Sequence, residues 1–323
     1  MTGLDALRAP VAGQLEHVAR IFDAELAGDL EFVRGLCADA GRYRGKMLRP
    51  TLLLLSAEAC GGARPDHPVL AAVVEMVHVA TLVHDDVLDE ADLRRHRPTI
   101  NRMSGNEAAV LLGDYLISHA YHLCSSLQST YASRRIAAAT NRVCEGELMQ
   151  VHHRGDWKLS EETYLEIVRR KTAELTKVCC ELGAKFAGAD AATVERMARF
   201  GEDLGIAFQI MDDLLDLIGT ELQTGKTLGR DADLGKATLP IIHCLSGATQ
   251  DEQSKLVAIL SAPADCRDSE LRDLLSARGS LDYARDAARH YARSAAQHLA
   301  DLPPTDARES LLAGVRFTIV RRF

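Results

Sequence analysis

Apolar residues recur at three- and four-residue intervals along almost the whole chain, interrupted at short spacing by Gly, Pro and Asp. That pattern predicts helices over roughly 4–27, 30–39, 48–60, 67–91, 105–128, 131–152, 160–188, 190–220, 236–248, 250–262, 266–276, 280–302 and 307–321. The stretch "GGARPDHP" at 61–68 reads as a turn whose Asp66 caps the next helix, and "HRGDWKLSEET" at 153–163 as a loop closing on Ser160. Ser160 is a favourable N-cap, and Glu161 and Glu162 suit the positive end of the helix dipole that follows. The longest irregular segment is "TELQTGKTLGRDADLGKATLP" at 220–240. Several helices are apolar on most faces, so they belong inside a bundle. With no linker and no short repeat, the reading is one all-α domain over 1–323, a bundle of long helices.

Composition supports helix over sheet. Hydrophobic residues make up 47% and charged residues 26%, while aromatics are 5% and alternating Val/Ile/Thr runs are scarce. A net charge of -8 argues against a broad nucleic-acid face, so an anionic ligand has to be met by local bases. The opening "MTGLDALRAPVAGQLEHVARIF" lacks the pattern of a signal peptide, and no uninterrupted apolar run approaches the ~18 residues of a membrane span. Eight cysteines, at 37, 60, 124, 144, 179, 180, 244 and 266, show no CxxC and no zinc spacing. They read as small buried hydrophobes in a reducing compartment, and the expectation is a soluble, cytoplasmic protein.

The chemistry is concentrated in two acid clusters. Asp85, Asp86 and Asp89 close the helix over 67–91, and Asp212, Asp213 and Asp216 repeat the spacing within "GIAFQIMDDLLDLIG". Residues four apart share a helix face, so Asp85 and Asp89 point together. Acids at a helix C-terminus oppose the dipole, at a few tenths of a kcal/mol each. A cation relieves both problems, and an oxygen-only donor set suits Mg²⁺, which keeps waters and takes substrate phosphates. Bases lie beside each cluster: Arg94 and Arg95 after the first, Lys226 and Lys236 after the second, and Lys46 and Arg49 earlier in "RGKMLRP". Carboxylates with Arg and Lys point to metal-bound phosphate.

The chain resembles the trans-type isoprenyl diphosphate synthases, the polyprenyl synthetase family. The resemblance rests on "GKMLRP" at 45–50, "HDDVLDEADLRRHRPT" at 84–99, "GDYL" at 113–116, "GELMQ" at 146–150, "KTAEL" at 171–175, "FQIMDDLLD" at 208–216 and "GKTLGRDADLGKATLP" at 225–240. It implies the isoprenoid synthase type I fold, with both aspartate motifs near the mouth of a central cavity. It implies Mg²⁺, three ions with substrate bound, on Asp85, Asp89 and Asp212, with Asp86, Asp213 and Asp216 assisting directly or through water. It places an allylic diphosphate such as farnesyl diphosphate on the ions with Arg94, Lys171, Lys226 and Lys236, and isopentenyl diphosphate on Lys46, Arg49, His78 and Arg95. Thr172 and Gln209 are implied along the allylic carbon and its leaving oxygen, and a homodimer is implied. Two positions depart from the family's usual residues: His96 stands where Gly commonly follows the Arg pair, and Arg44 and Met47 flank "GK".

Ala80 and Thr81 lie five and four residues before Asp85, about 6–8 Å down the helix at 1.5 Å per residue. In short-chain members of the family aromatic side chains close the pocket at this level, so these small residues suggest a long-chain product around the octaprenyl class. Met76, Tyr121, His122 and Met149 are candidates for a deeper floor. The alternatives are a farnesyl or geranylgeranyl product, or a non-catalytic regulatory subunit of a heteromeric synthase. A class I terpene cyclase normally lacks a second DDxxD and an isopentenyl site like Lys46/Arg49/His78. Glu75 and His78 form a single ExxH pair, and a di-iron bundle needs two. A long prenyl product is poorly soluble in water, so peripheral membrane association is a further expectation.

Overall fold

A computed structural model describes residues 3–219, 229–262 and 264–320. Helix dominates as the periodicity predicts, and the only strands among the described residues are Leu93–Arg94 and Arg97–Pro98. Pro10 divides the first expected helix into Gly3–Arg8, a 3₁₀ turn at Ala9–Val11 and Ala12–Glu25, because proline lacks the N–H a continuous helix requires. The chain groups into two compact units.

The first unit comprises residues 1–141, 175–201 and 296–314. Its central element is the helix Asp66–Leu88, with Leu70 through Val77 buried on every face. It packs most extensively on Asn106–Ser125, then on Leu48–Ala59 and Ala12–Glu25. Each fully buried Val, Leu or Met there contributes about 1.5–3 kcal/mol of transfer free energy. By length and composition this helix could cross a membrane, but 72% of its most apolar window is buried, as in a core helix. Glycine allows two of the close approaches. A Cβ on Gly113 would stand 2.0 Å from His84 Nε2, and one on Gly183 would stand 2.3 Å from the Leu53 carbonyl.

Asp85 sits in the last turn of the central helix, and Asp89 is its C-cap, donating its N–H to the Asp85 carbonyl at 2.8 Å. The chain then makes a short hairpin, pairing Leu93 with Pro98 and Arg94 with Arg97. Its two turn residues, Arg95 and His96, have φ of 51° and 62°, a type I′ turn in which both central residues are left-handed. His96 therefore occupies a backbone conformation that favours glycine, which accounts for its being a departure from the family pattern. A non-glycine residue there costs about 1–2 kcal/mol.

The second unit comprises residues 142–174, 202–295 and 315–323. One apolar cluster gathers Tyr164, Ile167, Val168, Ile210, Leu214, Leu239 and Ile242. A second gathers Leu217, Ile241, Leu245, Leu256, Leu260, Leu271 and Leu275, and Trp157 packs against both. Ser160 caps Glu161–Val168 as expected, accepting the Thr163 N–H at 3.1 Å. That helix widens into a π turn at Arg169–Ala173 before resuming at Glu174. Gly146 makes room for the turn, since a Cβ there would stand 2.6 Å from the Lys171 nitrogen. After residue 228 the chain forms one helical turn, Arg230–Asp233. The buried Arg267 guanidinium tethers it, donating to Asp233 and to the Gly229 carbonyl.

Candidate active site

In the first unit the three acids of the cluster at 85–89 have different surroundings. Asp85 and Asp89 are half-buried at the helix end, whereas Asp86 is 2% exposed. Arg94 grips the Asp86 carboxylate through Nε at 2.9 Å and Nη2 at 2.7 Å, and the Tyr43 hydroxyl donates to it at 2.8 Å. Burial, with Asp86 beside it, pushes the Tyr43 phenol above its ordinary value, so it stays a donor. Asp86, expected to assist the metal, has its oxygens committed to protein donors; Arg94, expected on a diphosphate, holds Asp86. The hairpin is the cause, because it folds Arg94 back against the helix that carries Asp86.

Arg49 and His78 meet, with Arg49 Nη1 2.8 Å from His78 Nε2. The guanidinium can only donate, so this imidazole nitrogen accepts. Burial, with Arg49, Arg94 and Arg95 nearby, holds His78 well below its ordinary pKa and therefore neutral. Arg95 donates to the Tyr43 carbonyl at 3.1 Å and lies against Gly45, where a Cβ would stand 2.1 Å from its Nη1. Gly45 also has φ of 53°, so glycine is required there twice over. Lys46 is exposed at the start of the same loop.

Glu75, one turn before His78, was visible in the sequence only as half of a rejected metal pair. It is 1% exposed, and neither carboxylate oxygen has a hydrogen-bond partner. Burial raises its pKa to about 7, against the opposing pull of Arg49, Arg44 and Arg95. It thus supplies a buried acid that titrates near neutrality beside two anion-binding candidates.

Ala80 has no exposed surface, so no water-sized space touches the smaller of the two chain-length candidates. Thr81 is half-buried and donates its hydroxyl to the His78 carbonyl at 2.7 Å. Of the floor candidates in this unit, Met76 is fully buried, whereas His122 is exposed and paired with Glu25.

In the second unit Lys171, Thr172, Gln209, Asp213 and Lys236 line one open cavity. A hydrogen-bonded chain crosses it. Thr172 Oγ1 donates to Gln209 Oε1 at 2.8 Å, and Gln209 Nε2 donates to Asp213 Oδ1 at 2.7 Å. The Tyr164 hydroxyl holds the other Asp213 oxygen at 2.6 Å. Burial, with Asp231 adjacent, pushes the Asp213 carboxyl well above the usual carboxylate range. Lys171 donates to Gln150 Oε1 at 2.7 Å and forms an ion pair with Glu147, so "GELMQ" supplies the two residues that aim it. Lys236 lies 3.8 Å from Asp231, whose N–H donates to Asp216 Oδ2 at 3.1 Å. Asp212 and Asp216 are half-buried, as Asp85 and Asp89 are in the first cluster. Lys226 lies outside the described residues.

The donor set fits a hard divalent cation. The half-buried acids of both clusters offer only carboxylate oxygens, the ligand type Mg²⁺ takes. The cavity also exposes unfinished polar chemistry, since the buried Thr238 hydroxyl on its wall has no partner. Tyr43 and Tyr164, which fix the middle acid of each cluster, lie far from the acids in sequence and carry no motif signal.

The polyprenyl synthetase family model matches residues 34–277. The chain is 34% identical over 299 residues to an octaprenyl diphosphate synthase of Escherichia coli, covering 92% of both chains. It is 37% identical over 322 residues to a nonaprenyl diphosphate synthase of Mycobacterium tuberculosis, covering 98% of this chain and 93% of that one. A solved polyprenyl synthase from Caulobacter crescentus CB15, complexed with calcium and isoprenyl diphosphate, has a TM-score of 0.92 at 34% identity. That comparison covers 99% of this chain and 98% of the other. This chain belongs to the polyprenyl synthetase family.

Proposed function

We propose that the chain condenses isopentenyl diphosphate with an allylic diphosphate, repeatedly, to give a long-chain all-trans polyprenyl diphosphate around the octaprenyl class. The observation that carries this reading is the convergence of Lys171, Thr172, Gln209, Asp213 and Lys236 on one cavity. These residues combine cationic donors for a diphosphate with neutral donors and acceptors along a reacting carbon.

Mg²⁺, when bound, supplies the positive charge that makes a diphosphate a good leaving group. Asp85 and Asp89 in the first unit, and Asp212 and Asp216 in the second, would each offer it carboxylate oxygens. Asp86 and Asp213 act as anchors, fixing the helix ends on which the outer acids sit. Lys171 and Lys236 take the allylic diphosphate, and Lys46, Arg49, His78 and Arg95 take isopentenyl diphosphate. Neutral His78 donates from its remaining ring nitrogen, while its accepting nitrogen keeps Arg49 in place. The allylic C–O bond ionises, the double bond of isopentenyl diphosphate attacks the carbocation, and the proton lost in forming the new double bond passes to the departed diphosphate. Thr172 and Gln209 flank the cation and its leaving oxygen. No protein nucleophile takes part, so positioning and electrostatics provide the rate enhancement.

The long product is supported by the small residues at Ala80 and Thr81 and by the names of the relatives. Ala80 is fully buried in the structure, so a growing tail has to displace side chains that now cover it. Exposed Leu93, Met103 and Leu111 in the first unit support a homodimer, in which a second copy covers them. The test is incubation with Mg²⁺, labelled isopentenyl diphosphate and farnesyl diphosphate, followed by sizing of the dephosphorylated products. A ladder ending near eight isoprene units is expected. A stop at four units would retain the enzyme and refute the long-chain reading, and no elongation would refute the activity.

A further inference from the structure

A second polar constellation lies apart from the aspartate clusters, where the end of the Ala12–Glu25 helix meets the Asn106–Ser125 helix. His119 and His122 are three residues apart on the latter, so both rings leave one face. Both present Nδ1 to the same oxygen, Glu25 Oε1, at 3.1 and 2.9 Å. All three donor atoms lie within 4.8 Å of one another. We infer that Glu25, His119 and His122 form a binding site for a transition-metal dication of the Zn²⁺ type, independent of the Mg²⁺ chemistry proposed above.

The geometry is close to what such an ion needs. Metal–ligand bonds of about 2.0–2.1 Å at tetrahedral angles separate ligand atoms by about 3.3–3.4 Å. The two measured edges have only a few tenths of an ångström to open. The ligands are also held in place. Glu25 is the last residue of its helix and its side chain is 16% exposed, and the His119 ring packs in a tilted contact on Tyr115 at a centroid distance of 4.3 Å. An acid at a helix C-terminus sits at the negative end of the dipole, so positive charge beside Glu25 is favourable.

Ligand softness selects the ion. Two imidazoles and one carboxylate suit Zn²⁺, Co²⁺ or Ni²⁺, whereas Mg²⁺ prefers an all-oxygen shell. Without metal, both imidazoles have to carry a proton on Nδ1 to satisfy one carboxylate oxygen. A cation takes the lone pair of each Nδ1 once the ring proton sits on Nε2. The His122 side chain is 79% exposed, leaving the fourth position open to water. The bound ion would tie the end of the Ala12–Glu25 helix, and with it the turn into Glu31–Gly41, to the Asn106–Ser125 helix.

The test titrates Co²⁺, then Zn²⁺, into the full-length protein held in excess Mg²⁺, which occupies the aspartate oxygens. One equivalent of Co²⁺ should give a visible d–d absorption that Zn²⁺ displaces, and Zn²⁺ should raise the melting temperature. His122→Ala, at an exposed position that leaves the fold intact, and Glu25→Gln should each weaken binding roughly tenfold or more. Asp85→Asn and Asp212→Asn should leave it unchanged. Absence of the Co²⁺ band and of the thermal shift in the unaltered protein would overturn the site, as would His122→Ala binding like the unaltered protein.

Discussion

The two aspartate clusters share a spacing and a layout but are supported by opposite electrostatics. In each, the outer acids are half-buried and the middle acid is buried against a tyrosine hydroxyl. Around Asp86 the remaining partner is a bidentate guanidinium, so the carboxylate is neutralised by the protein itself. Around Asp213 it is the neutral amide of Gln209, with the Asp231 carboxylate adjacent, and the Asp213 pKa rises. Asp86 therefore sits in an ion pair, whereas the hydrogen bonds to Asp213 come from neutral groups. A repeated motif therefore does not imply a repeated environment.

The largest expected effect separates outer from middle acids. Asp85→Asn or Asp212→Asn removes a carboxylate proposed to hold Mg²⁺ and should lower kcat/KM by roughly 10³, measured with both diphosphates at saturating Mg²⁺. Next is stability. Arg94→Ala strands the Asp86 carboxylate and should cost about 3–5 kcal/mol in denaturant unfolding. Gln209→Leu, which removes a neutral partner, should cost about 1–3 kcal/mol. Equal losses would show that the two anchors are equivalent after all.

The Glu75 prediction concerns pH. Its ordinary carboxyl value is 4.5 and its folded value is raised to about 7, so the folded state holds the proton more tightly than the unfolded chain. Stability from this group is full below pH 4.5 and is lost as pH rises through 7, by about 3 kcal/mol in all. Glu75→Gln should abolish that loss, as read from unfolding free energies at pH 5 and pH 8; an unchanged slope would assign the loss to another group. The smallest effect is at the hairpin. His96→Gly relieves a left-handed residue and should stabilise by up to about 1 kcal/mol, read as a higher melting temperature.

The helices and both acid clusters were legible because helical burial leaves a three-to-four-residue signature and because the clusters are contiguous. The same periodicity carried no information on the hairpin after Asp89, whose strands are two residues each and whose turn lacks glycine. It was equally silent on the π turn that presents Lys171 and Thr172, which depends on the space left by Gly146. Charge alone does not reveal that the Arg94 guanidinium meets the Asp86 carboxylate of its own chain. The partners that decide roles come from elsewhere in the chain: Tyr43 for Asp86, Tyr164 for Asp213, and Glu147 and Gln150 for Lys171. Glu75 was hidden for a related reason, since its importance comes from burial without a partner.

The most direct test of the division between outer and middle acids is the Mg²⁺ concentration that half-activates elongation, measured for the unaltered protein, Asp85→Asn and Asp86→Asn under conditions where all three are folded. Asp85→Asn should shift that concentration upward, while Asp86→Asn should leave it unchanged and lose only stability. A shift in Asp86→Asn as large as that in Asp85→Asn would contradict the account, because it would make the buried middle acid a metal ligand rather than an anchor.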